Sequence, residues 1–136
     1  MNEEEKNNLY MTFKAVIEGI IEDKKKNPKN LKLLNNFDAK INIGLQTDDD
    51  EIFWLNLIAH DGNYNLEKGK LEEYDLDLMA DPEDMMYFSN REYSTLHMML
   101  KKNRFGDRKL KFKAGTTGRN MGKLLKLSKI LVLDKK

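Results

Sequence analysis

Asp75 and Asp77 are the first residues whose types and spacing suggest chemistry. They alternate with apolar residues in Tyr74-Asp-Leu-Asp-Leu-Met-Ala80, which puts both carboxylates on one strand face about 7 Å apart, a separation that would suit paired acid and base groups. A catalytic pair also needs a concave site and unequal environments. The face they share reads Lys40, Asn42, Asn56, Asp75, Asp77 and Lys111, and is expected to be wet. The acidic run Asp48-Asp-Asp-Glu51 invites a calcium reading but lacks the alternating ligands and central glycine of an EF-hand loop, so a solvated hairpin end is expected. Gly115-Thr-Thr-Gly-Arg-Asn-Met-Gly-Lys123 has the look of a phosphate loop. Thr117 stands where GxxxxGK[ST] requires its first glycine, and Leu124 where it requires Ser or Thr. The segment reads as a strand-to-helix turn whose free amides, aided by Arg119, could meet a phosphate or carboxylate. The absence of cysteine excludes thiolate nucleophiles, zinc ribbons and redox pairs, and leaves His60 and His97 as the imidazoles. His60 falls in a predicted hairpin turn, with no apparent acidic or hydroxyl partner in sequence, and is expected to be merely solvated. No nucleophile and base can be matched, so the expectation is a protein that is not an enzyme and needs neither cofactor nor metal.

The elements that position these residues follow from hydrophobic period. Leu9, Phe13, Val16, Ile17, Ile20 and Ile21 are spaced by threes and fours and predict a helix from Glu3 to about Asp23. Pro28 suits the first turn of a short second helix carrying Leu31, Leu33, Leu34 and Phe37. From Asp38 the period becomes two: Ala39, Ile41, Ile43 and Leu45 define a strand, and Glu51–Ile58 a second, with Trp54 and Ile58 as apolar exceptions on the wet face. Asp61-Gly62 is a hairpin signal leading to a third strand through Tyr64 and Leu66, and Tyr74–Ala80 is the fourth. Asp81-Pro82-Glu83-Asp84 starts a helix, with Asp81 as N-cap. A further helix spans about Ser94 to Asn103. Lys109–Ala114 is a fifth strand with Leu110 and Phe112 facing inward, its connection long enough to return parallel. Arg119–Leu133 is the closing helix, with Met121, Leu124, Leu125, Ser128 and Leu131 on one side. The fold class is α+β, one domain over residues 1–136, with helices covering the sheet face of Ile41, Phe53, Leu66, Leu76 and Phe112.

A chain of 136 residues that is 40% hydrophobic can bury a continuous core without covalent or metal support. Its apolar runs are too short to span a bilayer and its start is acidic, so a soluble, cytoplasmic protein is expected. The net charge of +1 hides a division: residues 1–100 hold 11 Lys/Arg against 21 Asp/Glu, and residues 101–136 hold 13 against 2. Such a split could steer an anionic partner toward one end. The basic segment has no outward aromatic platform and no zinc, helix-turn-helix or glycine-loop module, which argues against nucleic acid. Transient contact with an anionic membrane through Arg104, Arg108, Lys123 and Lys126 fits better.

These segments in this order resemble the sterol carrier protein 2 (SCP-2) sterol transfer domain family over about residues 9–133. The resemblance is carried by Glu73-Tyr-Asp-Leu-Asp-Leu-Met-Ala-Asp-Pro-Glu-Asp-Met-Met86, by Phe53-Trp-Leu55 ahead of Asp61-Gly62, and by Arg108-Lys-Leu-Lys-Phe-Lys113 before a basic amphipathic helix. The family places glycines just before and after the last strand, whereas here Arg108 and Ala114 stand nearest, with Gly106 and Gly115 displaced. The resemblance implies a five-stranded mixed sheet in the order 3-2-1-4-5 with strands 4 and 5 parallel. It further implies a cavity between sheet and helices that takes a fatty acid, acyl chain, sterol or other hydrophobic molecule, for noncovalent binding and transfer. A non-catalytic structural or dimerisation module with a filled cavity is the alternative.

Methionine is abundant, 8 of 136 residues, and its unbranched thioether adapts to chain-like apolar shapes. Met85, Met86, Phe88, Leu96, Met99, Leu100, Met121, Leu124, Leu125 and Leu131 are the candidate lining, with Leu124 at the entrance. Tyr87, His97 and Arg119 are the candidate headgroup contacts, with Tyr93, Ser94, Thr95 and Asn103 beside them.

Overall fold

The computed structural model describes residues 2–48, 50–116 and 121–134. Helix α1 (Glu3–Lys25) is capped by Asn2, whose side chain accepts from the Glu5 amide, and α2 (Pro28–Asn36) by Asn27 with proline in its first turn. On α1 the three-and-four spacing does what it should: Phe13, Ile17, Ile20 and Ile21 are buried, each contributing about 1.5–3 kcal/mol by leaving water. Tyr10 joins them because its hydroxyl donates to the Leu66 carbonyl at 2.8 Å.

Strands β1 (Ala39–Gln46), β2 (Ile52–His60) and β3 (Asn63–Lys68) form an antiparallel meander. The β1–β2 turn is closed by the Thr47 hydroxyl donating to Glu51 at 2.7 Å, which holds the Glu51 carboxyl below its ordinary range. Asp49 of the acidic run lies outside the described residues. The β2–β3 turn uses positive φ at both Asp61 (50°) and Gly62 (80°), the backbone that matches strand twist in two-residue hairpins. After β4 (Leu76–Ala80) come α3 (Pro82–Ser89), α4 (Thr95–Leu100), β5 (Leu110–Ala114) and α5 (Met121–Ile130). Asp81 caps α3 as expected, accepting from the Glu83 amide.

The sheet order is β3-β2-β1-β4-β5, as the resemblance implies, but the directions differ from expectation. The parallel pair is β1 with β4, and β5 runs antiparallel to β4. The reason is where the connections travel. Ala80 at the end of β4 pairs with Leu110 at the start of β5, so α3 and α4 fold back at one end of the sheet, whereas a parallel return requires the chain to cross to the other end. The crossing is made instead between β3 and β4.

That crossing also corrects the reading of the second face. Asn42 is fully buried, Asn56 and Asp77 are nearly so, and Asp75 is 8% exposed. Segment 69–75 lies across them: the Asn42 side chain donates to the Leu71 carbonyl (3.1 Å) and accepts from its amide (2.8 Å), and Asn56 donates to the Gly69 carbonyl at 3.0 Å. These amides are therefore paired interior groups, as burial demands. On the helix-covered face Ile41, Leu55, Leu57, Leu76 and Leu78 pack against Leu34, Met98, Leu124, Leu127 and Ile130. The closing helix buries Leu124, Leu127, Ile130 and Leu131, while Leu125 is 56% exposed. Leu127 and Ile130 continue the stripe from Leu124 at three-residue steps, and Leu125 sits beside it.

Candidate functional site

Where the ends of α1 and α5 meet the α3–α4 connection, a cleft of about 490 Å³ opens, lined by Lys24, Asn30, Leu33, Phe88, Arg91, Tyr93, Ser94, Thr95, Ser128, Lys129, Val132, Leu133 and Asp134. This lies in the range of small-molecule sites, about 300–1,000 Å³. Leu33, Phe88, Val132 and Leu133 give it apolar surface, and Arg91, Lys129, Ser94 and Thr95 give it charged and hydroxyl groups. The lining comes from helices and their connections, not from strands. The site therefore opens between helices, beside the core side chains packed under the sheet.

The segment after α5 closes one end. Lys24, with only 5% of its side chain exposed, bonds Asp134 at 2.7 Å. The Asn30 side chain donates both to the other Asp134 oxygen (2.8 Å) and to the Lys24 carbonyl (3.1 Å). Lys24, then Asn30, hold the Asp134 carboxyl below its usual range against the opposing effect of burial. The Leu133 amide donates to the Ser89 carbonyl at 3.0 Å, and Arg91 donates to the Leu133 carbonyl at 3.3 Å. A short C-terminal stretch is thus tied to α1, α2 and the end of α3.

Arg91 sits in left-handed backbone, φ 77°, just past the α3 C-cap Asn90. Glycine or asparagine normally occupies such a position. An arginine there carries local strain, and such strain concentrates at functional sites.

The aromatic wall is built by stacking. Tyr93 lies 4.3 Å from His97, centroid to centroid, and 5.1 Å from Tyr87. Lys109 reaches over the Tyr93 ring at 4.9 Å and bonds Asp84 at 2.9 Å. Burial acts to lower the Lys109 pKa, but the Asp84 hydrogen bond and charge outweigh it and the value is raised. The Tyr87 hydroxyl donates to Glu83, and this raises its pKa. The buried Nε2 of His97 has no hydrogen-bond partner among the described residues.

Of the lining residues expected from sequence, Phe88 faces the cleft. Met85, Leu124 and Leu131 are buried in the core, and Met86 and Met99 pack against it half-buried. Leu96 and Leu100 are 64% and 56% exposed, and with Leu125 they stand on the surface. Tyr93, Ser94 and Thr95 line the cleft, while Tyr87 and His97 stand behind Tyr93 in the stack. Asn103 is buried in a separate network, donating to Gln46 at 3.1 Å. Arg119 and the Met121 side chain lie outside the described residues. Lys24, Asn30, Arg91, Lys129 and Asp134 escaped sequence reasoning because they come from three distant segments; a lysine on the apolar stripe of α1, one turn past Ile20, was the available signal.

The divided charge has an internal partner. Arg104 bonds Asp81 (2.6 Å), Lys109 bonds Asp84, Lys113 approaches Asp77 (3.7 Å) and Lys123 bonds Asp75 (3.2 Å). The basic segment after residue 100 supplies ion-pair partners to the acidic stretch 75–84. Of the cations expected to meet a membrane, Arg104, Lys123 and Arg108, which donates to the Leu100 carbonyl, are engaged within the chain. Lys126 stands with Lys29 and Lys32 at a neighbouring cleft. His60, expected to lack an acidic partner, has two on the surface: Asp38 at 3.0 Å, brought to it by the fold, and the adjacent Asp61 at 3.1 Å. Among the described residues no group of three or more His, Cys, Asp or Glu is placed to hold a metal ion, and no helix is long and apolar enough to cross a membrane.

No family model matches the sequence, and no curated protein matches it. Solved structures do. The solution structure of the sterol carrier protein domain 2 of Helicoverpa armigera is similar with a TM-score of 0.61 at 14% identity, over 85% of this chain and 81% of that one. The apo form of sterol carrier protein 2 from Yarrowia lipolytica gives 0.57 at 16% identity, over 86% and 84%. A structure described as UbiJ-SCP2 ubiquinone synthesis protein gives 0.61 at 9% identity, over 96% and 93%. The chain thus has the α+β fold of the sterol carrier protein 2 structures, a mixed five-stranded sheet covered by helices.

Proposed function

We propose that this protein is a non-catalytic carrier that binds a hydrophobic small molecule or lipid, such as a fatty acid, acyl chain or sterol, and passes it on without forming a covalent bond. The observation that carries this reading is the 490 Å³ cleft, whose lining combines Phe88, Leu33 and Val132 with Arg91 and Lys129. An alkyl chain laid on the apolar surface gains about 0.8 kcal/mol per buried CH₂, so about ten carbons supply a gross driving force sufficient for useful affinity. A carboxylate or phosphate headgroup then meets the Arg91 guanidinium, whose paired donors suit such anions. Entry and exit follow loosening of the segment that Lys24, Asn30 and Arg91 hold. The SCP-2-type fold supports the reading, since two of the similar structures are of proteins named as sterol carriers.

Native mass spectrometry after gentle purification, followed by lipid extraction and titration with a fluorescent fatty acid, tests it. Stoichiometric lipid, lost on replacing Phe88 by Asp in a folded variant, supports the carrier. Repeated absence of lipid and of fatty-acid or sterol binding turns the assignment to a structural or dimerisation module.

A further inference from the structure

On the sheet face away from the helices, strand register lays out two neighbouring rows. Trp54 pairs with Gly44, Gly44 with Met79 and Met79 with Lys111; one row along stand Asn56, Asn42, Asp77 and Lys113. Gly44 has a reason to be glycine. A Cβ there would stand 2.9 Å from Trp54 Cη2 and Cζ3, so its absence lets the indole lie over the β1 backbone toward Met79. The result is a flat aromatic and thioether floor. At its edge sits Asp77, 6% exposed, whose buried Oδ2 accepts no hydrogen bond from the described residues. Lys70 and Lys113 approach that oxygen at 3.4 and 3.7 Å, within ion-pairing range. The Lys70 ammonium also caps the indole, 4.2 Å from the ring centroid. A recess of about 230 Å³ is enclosed by these residues with Lys111 and Phe112.

We infer that this recess is a second binding site, for a planar bicyclic heteroaromatic that offers two adjacent N–H donors and carries an anionic tail. The flat floor selects a ring, since offset stacking on an indole and contact with a thioether both favour π-systems. The buried carboxylate selects donors: two parallel N–H groups satisfy a carboxylate bidentately. The tail lies outside over Lys113 and Lys111, whose side chains are 65% and 44% exposed. The volume falls below the usual range for drug-sized ligands, about 300–1,000 Å³, and so fits one ring system with its substituents in solvent. Lys70, 41% exposed, swings from above the indole to admit the ring. The amino-oxo edge with this donor pair occurs in guanine and in pterins, and the site reads the chemistry they share. The inference is independent of the cleft between the helices.

Trp54 is the single tryptophan, so its fluorescence reports on this recess. GMP and pterin-6-carboxylate are titrated beside IMP, which lacks the 2-amino donor, AMP, which lacks the donor pair, and tripolyphosphate, which lacks the ring. The expected result is saturable quenching by GMP, the pterin or both, the tighter of the two identifying the source, with at least tenfold weaker binding of IMP and AMP and no quenching by tripolyphosphate. Asp77→Asn should erase the preference for GMP over AMP, and Lys113→Gln should weaken GMP and AMP alike, both checked for an unchanged melting curve. The series of ligands carries the test even if the Asp77 variant fails to fold. Equal binding of GMP, AMP and tripolyphosphate, which would mean lysines gathering anions, overturns the inference, as does no binding by either bicyclic ring.

Discussion

Replacing Arg91 by glycine should make the protein slightly more stable and a poorer binder. Left-handed backbone costs an ordinary L-residue about 1–2 kcal/mol, and Arg91 bears that cost at φ 77°. Glycine removes it. Against this, glycine increases the freedom of the unfolded chain by about 0.4–1 kcal/mol. The lost bond from Arg91 to the Leu133 carbonyl, 3.3 Å long and exposed, is at the weak end of the range, about 0.5 kcal/mol. Taken at mid-range the balance is a gain of about 0.3 kcal/mol, read as a rise of roughly 1 °C in melting temperature. Affinity for an anionic lipid should move the other way: a charge-assisted hydrogen bond contributes about 1.5 kcal/mol or more, so a fluorescent fatty acid should bind roughly tenfold more weakly. Thermal denaturation and a fluorescence titration on the same preparation measure both. A variant that binds fatty acid as tightly as the parent, or that melts several degrees lower, would refute the reasoning, because Arg91 would then be neither strained nor a headgroup contact.

Asp134→Asn should destabilise the fold by about 1 kcal/mol at neutral pH, well below the cost of breaking a fully buried pair because Asp134 is 36% exposed. Since the folded pKa of Asp134 is depressed, its contribution is present above the unfolded value of about 3.8 and is lost as pH falls through the folded value; parent and variant should therefore converge in urea melts at acid pH, and a constant difference down to pH 2 would be contrary to this. Gly115→Ala should cost about 3 kcal/mol, because the new Cβ would lie 1.8 Å from the Tyr74 carbonyl oxygen; chemical denaturation measures it, and a neutral result would show that β5 can shift. Leu124→Trp, which a place at the entrance would make an occluding substitution, should instead lower stability by about 2 kcal/mol through overpacking, because Leu124 is 2% exposed; calorimetry decides, and an unchanged melt with weakened lipid binding would restore the entrance.

How much was legible depended on the distance over which a signal acts. The Asp81-Pro82 helix start, the Asp61-Gly62 hairpin and the α1 stripe are set within a few residues, and each stands where the sequence puts it. The direction of β5 was not legible, because a long connection can return either way and only the docking of α3 and α4 at one end of the sheet selects the antiparallel course. Asn42 and Asp77 look like solvent-facing strand residues by alternation. They are buried because the β3–β4 connection folds back over this face: it covers Asn42 from nearly thirty residues farther along the chain and supplies Lys70 to Asp77. The methionine-rich candidate lining failed to converge for a related reason: period identifies apolar residues but not which of them face a core, a cleft or solvent.

The sequence by itself determined the elements, their order and the apolar face on which they assemble, because propensity, capping and turn chemistry are local and hydrophobic period marks a buried side. Tertiary structure alone decided the sites. It brings Lys24 to Asp134 and Arg91 to Leu133 at one cleft, and Trp54, Lys70, Asp77 and Lys113 to one recess on the opposite face. Pairing across a hundred residues depends on how packed layers close on one another, and no local pattern in the chain encodes that distance.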